Sequence, residues 1–205
     1  MNQGCISATF AKDLYMMNKF QFILILITVI YSDRIAAQSY TAGDQITLGV
    51  QDFCLIDTNH APVVLTLSTS VAGTPVVSVS NSDMYVKVSS VVPGNTNRKI
   101  TARVSGGTIP AGTRLTLLAA LSVNLNGGGR RGVAVTTPII LNTTDQDLVT
   151  GVGSCYTGTG YTDGYRLTYT WAPYLPATNY QLLQSTTTPT VITIVLTITA
   201  HDGNN

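Results

Sequence analysis

The sequence predicts an all-β protein built as an antiparallel sandwich of two packed sheets. Short segments rich in Val, Ile, Thr and Tyr alternate apolar with polar residues, the period of a strand with one buried face. Gly, Pro, Asn or Asp interrupt these segments at intervals of about 8 to 12 residues, and no segment has the period of a helix. An immunoglobulin-like sandwich fits this pattern best, with a jelly roll as the alternative.

The alternation is clearest in five internal segments. They cover residues 65–68, 84–88, 99–104, 115–123 and 166–171. In each, every second side chain is apolar and most of the residues between are polar or small, so we expect one face of each strand to pack in the core and the other to meet water.

Two further alternating segments lie near the chain ends, at residues 40–50 and 190–200. Their apolar side chains are Ile46, Leu48 and Val50 in the first, and Ile192, Ile194, Leu196 and Ile198 in the second. We expect the second segment to be a long central strand. Each is also a candidate for donation to another subunit, because a terminal strand can pair across subunits as readily as within one.

The N-terminal region has the pattern of a secretory signal peptide. Lys19 precedes the apolar run FQFILILITVIY at residues 20–31, and small residues up to Ala37 follow. We expect cleavage after Ala37. Residues 1–37 are then the leader, and residues 38–205 form a single sandwich domain.

The same region argues against a permanent membrane anchor. The apolar run is shorter than the roughly 20 residues that a spanning helix needs, and Cys5 does not follow the run as a lipid-modified cysteine would. Met16 or Met17 is a candidate for the true start. The predicted destination is the cell surface or the extracellular space, with the periplasm as the alternative.

The charge balance excludes nucleic acid as a partner. The chain has eleven Lys and Arg and ten acidic residues, and the leader contains three of the first and two of the second. Eight remain of each sign, whereas nucleic-acid binding depends on clustered positive charge. The one basic pair, Arg130 and Arg131, lies in the glycine run at 127–132, which lacks the Lys-Ser/Thr ending of a phosphate-binding loop and predicts a hairpin tip.

The sequence contains no recognisable catalytic or metal-binding motif. His60 and His201 are the only histidines, and no G-x-S-x-G nucleophile motif occurs. Asp145 and Asp147 project to one side of an extended segment, but solvated turn aspartates explain them better than a glycosidase pair or a calcium site. We expect no enzymatic activity, no metal and no cofactor.

Two cysteines remain after the leader, Cys54 and Cys155. They have no metal-ligand spacing, and an isolated pair in an oxidising compartment most simply forms one disulfide. The sequence therefore predicts a Cys54–Cys155 bridge, with two buried free thiols as the alternative.

Aromatic residues are concentrated in a glycine- and proline-rich stretch at 156–180. By alternation, Tyr169 and Trp171 fall on the core side of their strand. Tyr156, Tyr161 and Tyr174 lie in the loops and are the candidates for a surface that binds a glycan or another protein, because tyrosine offers a rigid ring with a polar tip.

A family resemblance rests on residues 82–121, on residues 152–167 and on the closing Thr/Ile strand. Its specific marks are NRKIT at 97–101 and GTIPAGT at 107–113. With these segments the chain resembles small secreted Bacteroidetes β-proteins of unassigned function.

More distantly, the leader, the early Cys54 and the threonine-rich closing strand are similar to spore coat protein U and to chaperone-usher pilin subunits. Those proteins are immunoglobulin-like and assemble by strand exchange. The resemblance implies a structural subunit of a surface fibre or layer that associates with copies of itself. The alternative function is an extracellular module that binds a glycan or a surface protein.

Overall fold

A computed structural model describes residue 21 and residues 41–122, 126–174 and 177–201. By its internal contacts the chain divides into two units, Met1–Leu48 and Gly49–Asn205. Apart from residue 21, the predicted leader lies outside the described residues. Within the described residues, no helix combines the length and the apolar character needed to cross a membrane.

Strands dominate the described residues of the second unit, which confirms the predicted all-β class. The strands are β1 (Phe53–Thr58), β2 (Val79–Val91), β3 (Asn97–Gly106), β4 (Thr113–Leu121), β5 (Gly128–Gly129), β6 (Val133–Ala134), β7 (Ile139–Ile140), β8 (Gln146–Val152), β9 (Cys155–Tyr156), β10 (Tyr165–Pro173) and β11 (Thr193–His201). A short 3₁₀ helix at Ala177–Leu182 precedes β11. Four of the five internal segments predicted as strands lie in β2, β3, β4 and β10.

These strands form two antiparallel sheets, as the sequence predicts. The larger sheet has the order β5-β9-β2-β10-β4-β7, and β1 pairs with β2. Val86 of β2 pairs with both Thr58 of β1 and Tyr165 of β10, so β1 lies on the side of β2 opposite β10. The smaller sheet has the order β11-β3-β8-β6.

The inner faces of the sheets make the core, and the alternation of the sequence explains which side chains they contain. The larger sheet contributes Val86, Val88, Leu115, Leu117, Ala119, Tyr165, Leu167 and Tyr169, and the smaller contributes Ile100, Ala102, Val104, Leu148, Val149 and Val152. Successive side chains of a strand point to opposite faces, so the apolar core residues of β2, β3, β4 and β10 alternate along their strands, whereas β8 buries the consecutive Leu148 and Val149 beside a register shift in its pairing with β3. Tyr169 is buried and Trp171 packs against the core, as predicted.

The last strand is an edge and not the central strand that its length predicts. β11 pairs with β3 from Thr193 to His201 and has no partner strand on its other side among the described residues. Ile194, Leu196 and Ile198 face inward but are only partly buried. A long apolar alternation identifies a strand with a core face, but it does not reveal how many neighbours the strand has.

The predicted disulfide is wrong, because both cysteines are free thiols. Ser90 of β2 pairs with Cys54 on one side and with Cys155 on the other. The two cysteines are therefore about 10 Å apart, two inter-strand spacings, whereas a disulfide requires Cα atoms within about 7 Å. One strand between them excludes the bridge.

We expect alkylation of the unfolded protein without any reductant to modify both Cys54 and Cys155. In the folded protein Cys54 should react first, because Cys155 is buried and its burial raises the pKa of the thiol, against a smaller opposite effect of Arg131. Peptide mass mapping measures both. A prereduced sample is the control, and a peptide that links Cys54 to Cys155 would contradict the observed sheet order.

Candidate interaction sites

The N-terminal segment 41–50 exposes three apolar side chains that a folded protein normally covers. All its described residues are exposed, and none belongs to a strand. The exposed fractions are 81% for Ile46, 88% for Leu48 and 84% for Val50. They alternate with Thr47 and Gly49, so in an extended conformation they would all project to one side.

Within the second unit, a large apolar groove opens between the sheets where β1 and β11 end them. Its volume is about 1090 Å³. The larger sheet lines it with Ile56, Met84, Leu115, Tyr169 and Trp171, and the smaller with Ile194 and Leu196. The groove is partly open to solvent and lies between two core faces, so it marks a place where an additional element could fill the space between the sheets.

One wall of the groove is an extended segment without ladder partners. Val63, Leu65 and Leu67 line the groove and are partly buried, while the residues between them are exposed. This is the alternation that predicts a strand at residues 65–68. Among the described residues, however, no main-chain hydrogen bond involves residues 62–68, so no strand forms there. The segment has the side-chain pattern of a strand and lacks a neighbour.

The polar groups at the mouth of the groove make surface contacts. His60 lies 3.3 Å from the Asp57 carboxylate through Nε2 and 3.3 Å from the Thr58 hydroxyl through Nδ1. Asp57 is exposed and also faces Lys87 at 3.9 Å. A hydroxyl–imidazole–carboxylate set becomes a nucleophile when a buried acid orients the base beside oxyanion donors. This exposed trio has no such buried acid.

The three tyrosines predicted for a surface site are all exposed, but they do not form one site. Tyr156 of β9 lies over Gly128, where an added Cβ would meet the ring at 3.2 Å. Tyr161 lines a small cleft of about 360 Å³, and Tyr174 follows β10, where its main-chain N–H donates to Gly112. These residues therefore offer separate surfaces, and Tyr161 is the one that lines a described cleft.

The loop that carries Tyr161 is held by a buried carboxylate. Asp163 is 3% exposed, and its carboxylate accepts hydrogen bonds from the main-chain N–H groups of Gly160 (2.7 Å) and Asn126 (3.3 Å). A Cβ on Gly158 or Gly160 would occupy the space that this carboxylate fills. The glycines of the loop are thus required by the close approach of Asp163.

Sequence reasoning missed the residues on the opposite wall of this cleft, Asp83 and Tyr85 of β2. They lie beside a bulge, because β2 advances from Asn81 to Met84 while β10 retreats only from Tyr169 to Leu167. A bulge reorients the side chains around it. No residue in this part of β2 signals the bulge, so only the strand pairing reveals it.

Comparisons with known proteins do not indicate a function for this chain. No protein-family model, curated protein or solved structure matches this chain. The resemblances to secreted Bacteroidetes β-proteins and to pilin subunits therefore remain predictions from the sequence.

The buried groove residue Tyr169 should make the fold less stable at alkaline pH. Burial raises the pKa of Tyr169 to about 12, against about 10 in an unfolded chain. The unfolded state therefore ionises first as the pH rises, and stability present below pH 10 is lost between about pH 10 and 12. The loss from this residue is on the order of 2 kcal/mol. Burial also raises the pKa of Tyr165, which adds a loss in the same direction.

Tyr169→Phe should make the free energy of unfolding fall less steeply between pH 9 and 12, as measured by urea denaturation. The cost at pH 7 should be small, because the Tyr169 hydroxyl contacts only the Met84 sulfur, at 3.6 Å, among described residues. The exposed Tyr174→Phe is the control and should follow the wild type. An unchanged slope in Tyr169→Phe would show that this burial does not limit stability.

Proposed function

We propose that this protein is an exported, non-enzymatic structural subunit of a surface fibre or layer, which associates with its own copies by strand addition. The observation that carries the proposal is the exposure of Ile46, Leu48 and Val50 on an alternating segment outside the strands. Such a segment on an isolated chain is a liability for aggregation unless a partner covers it. The signal-peptide pattern at residues 19–37 supports the export step.

The acceptor in this proposal is the groove of a second copy. The edge of β11 and residues 62–68 both offer main-chain groups for pairing. Ile46, Leu48 and Val50 would fill the space against Trp171 and Leu196, while Thr47 stays in solvent. Strand addition combines main-chain hydrogen bonds with pockets for alternate side chains, and the groove supplies both.

Approximate energies indicate which terms decide the association. Burying the three aliphatic side chains stabilises the complex by about 1.5–3 kcal/mol each. Ordering the backbone of residues 45–50 costs about 1–2 kcal/mol per residue, so these two terms nearly cancel. The sign of the association free energy then depends on new main-chain hydrogen bonds, about 0.5–1.5 kcal/mol each, and on the apolar area of the groove that is removed from water.

The C-terminal segment is a weaker candidate for the donor. Ile194, Leu196 and Ile198 belong to β11 and pair with β3 opposite Val104, Ala102 and Ile100. Ile192 comes just before the strand and lines the groove. Donating β11 would remove a strand from the smaller sheet and expose those partners, whereas donating residues 41–50 breaks no described pairing.

The proposed association is head-to-tail. The donor lies in residues 41–50 and the acceptor in the groove, so each subunit uses two different surfaces. A heterologous contact of this kind forms a ring when its rotation closes and an open filament when it does not. A ring of two subunits forms if the donation is reciprocal, whereas an open filament agrees with a role as a structural subunit.

Leu48→Asp should abolish multimers and leave a folded protomer, because a buried unpaired carboxylate costs several kcal/mol and Leu48 is exposed in the single chain. Light scattering gives the mass, and circular dichroism reports the fold. Val71→Asp is the matched control, since Val71 is also exposed but lies in a turn and does not line the groove.

Leu48→Asp keeps an intact acceptor groove, so it should also shorten wild-type assemblies when the two proteins are mixed, by ending each growing chain. Val71→Asp should join the assemblies without shortening them. Wild-type protein that stays monomeric, or Leu48→Asp that assembles normally, would rule out donation of residues 41–50.

A further inference from the structure

We propose that the cleft between Tyr85 and Tyr161 binds a neutral saccharide. The cleft is separate from the apolar groove and lies where the Gly160–Asp163 turn faces β2 and the residues after β1. Its walls are Ala61, Pro62, Ser82, Asp83, Tyr85, Tyr161 and Thr162. Its volume of about 360 Å³ is at the lower end of the range for small-molecule sites.

Tyr161 is presented by a turn whose shape is set from within. The turn closes by a hydrogen bond from the Asp163 main-chain N–H to the Gly160 carbonyl, at 3.2 Å. The buried Asp163 carboxylate binds Gly160 from the other side. Tyr161 and Thr162 occupy the two central positions, so their side chains point outward from a fixed backbone. The Tyr161 side chain is 62% exposed although its backbone is held.

Asp83 and Tyr85 are held by two asparagines on the opposite wall. β1 ends at Thr58, and the Asn59 side chain continues the ladder by donating to the Asp83 carbonyl (2.8 Å) and accepting from the Tyr85 N–H (3.0 Å). The Asn81 amide donates to Asp83 Oδ2 at 2.8 Å. Asp83 Oδ1 accepts no hydrogen bond from a described residue, and it is the oxygen left for a ligand.

The turn that brings Ala61 and Pro62 into the cleft is strained. His60 has φ of 52°, in the left-handed region that residues other than glycine seldom adopt. The His60 and Ala61 main-chain N–H groups donate to the side chains of Thr58 and Asn59, at 3.3 and 3.4 Å. Local strain of this kind tends to persist where the surrounding structure fixes a binding geometry.

The chemistry of the walls selects the ligand class. Aromatic rings offer flat apolar surface, which suits the C–H faces of a pyranose. The Asp83 carboxylate and the hydroxyls of Tyr85, Tyr161 and Thr162 offer acceptors and donors for sugar hydroxyls. Among the described residues no Lys or Arg lines the cleft, so these walls offer a phosphorylated or acidic ligand no counter-charge. The single carboxylate on an oxygen-rich wall equally disfavours an aliphatic ligand.

The test is affinity electrophoresis of the full-length protein in gels that contain a soluble neutral polysaccharide. The probes are a mixed-linkage β-glucan, an arabinoxylan, a galactomannan and a dextran. We expect at least one to retard the protein. Tyr161→Ala and Tyr85→Ala should weaken that binding at least tenfold, and Asp83→Asn should weaken it less. Tyr174→Ala, which removes an exposed ring outside the cleft, should not change it.

Two further readouts make the outcome decisive. Binding of a neutral polysaccharide should be unchanged by 0.5 M NaCl, because added salt screens charge interactions only, whereas loss of binding in salt would show that the retardation depends on charge and would overturn the proposal. Tyr161→Ala should keep the wild-type melting temperature, since its ring is exposed. Retardation by none of the four probes, or equal retardation of wild type and Tyr161→Ala, would also overturn it. Strand addition is tested separately, because Leu48→Asp changes the donor segment and leaves the cleft unaltered. Failure of saccharide binding would therefore not contradict strand addition.

Discussion

The apolar inner faces of the two sheets must be covered out to their edges, and at the edge between β1 and β11 they are not. Ile100, Ala102 and Val104 of β3 are buried, whereas their neighbours on β11 are only partly buried. The groove is the space left between these faces. An additional apolar strand would complete the sandwich there, and the N-terminal segment has the alternation to supply it.

The incomplete cover at this edge also explains why association is proposed at the edge of the sandwich and not at its centre. Val86, Leu117 and Leu167 are fully buried and close the middle of the core. Substitutions there should act through stability, because these side chains are not on the surface. Around the groove, packing and main-chain pairing are both incomplete, so a partner can contribute the same two interactions that build a sheet. Proposed assembly therefore uses the same interactions as folding, namely packing and main-chain pairing, but makes them between molecules.

The fold class was predictable because alternation is a local property. In β2, β3, β4 and β10 each side chain's face follows from its position in the strand, and the sequence alone identifies Tyr169 as a core residue. Strand order is not local. The pairing of Ser90 with both cysteines excludes the predicted disulfide, and the edge position of β11 makes a strand predicted as central only half-buried. Residues 62–68 have the pattern of a strand but lack the neighbour that would make them one.

The candidate sites were predictable to the extent that single residues reveal them. Ile46, Leu48 and Val50 were identified by spacing, and Tyr161 by its glycine-rich loop. The rest depends on contacts between distant segments. The groove needs both sheets, and the cleft needs the β2 bulge with Asn59 in place of a ladder partner. No short motif encodes either. If both sites act as proposed, a polymer of this protein would repeat the cleft along its length and gain avidity for a repeating glycan.

Hydrogen exchange of main-chain amides tests the central claim, that residues 41–50 of one copy complete the groove of another. The full-length wild type and Leu48→Asp are compared under the same conditions, with mass spectrometry of peptides that cover residues 41–50, 62–68 and β11. Strand addition predicts slower exchange in the wild type for the donor segment and for residues 62–68, because both gain ladder hydrogen bonds on assembly. The amides of β10, already paired on both sides, should exchange equally in the two proteins. Equal exchange of residues 41–50 and 62–68 in wild type and Leu48→Asp would contradict strand addition.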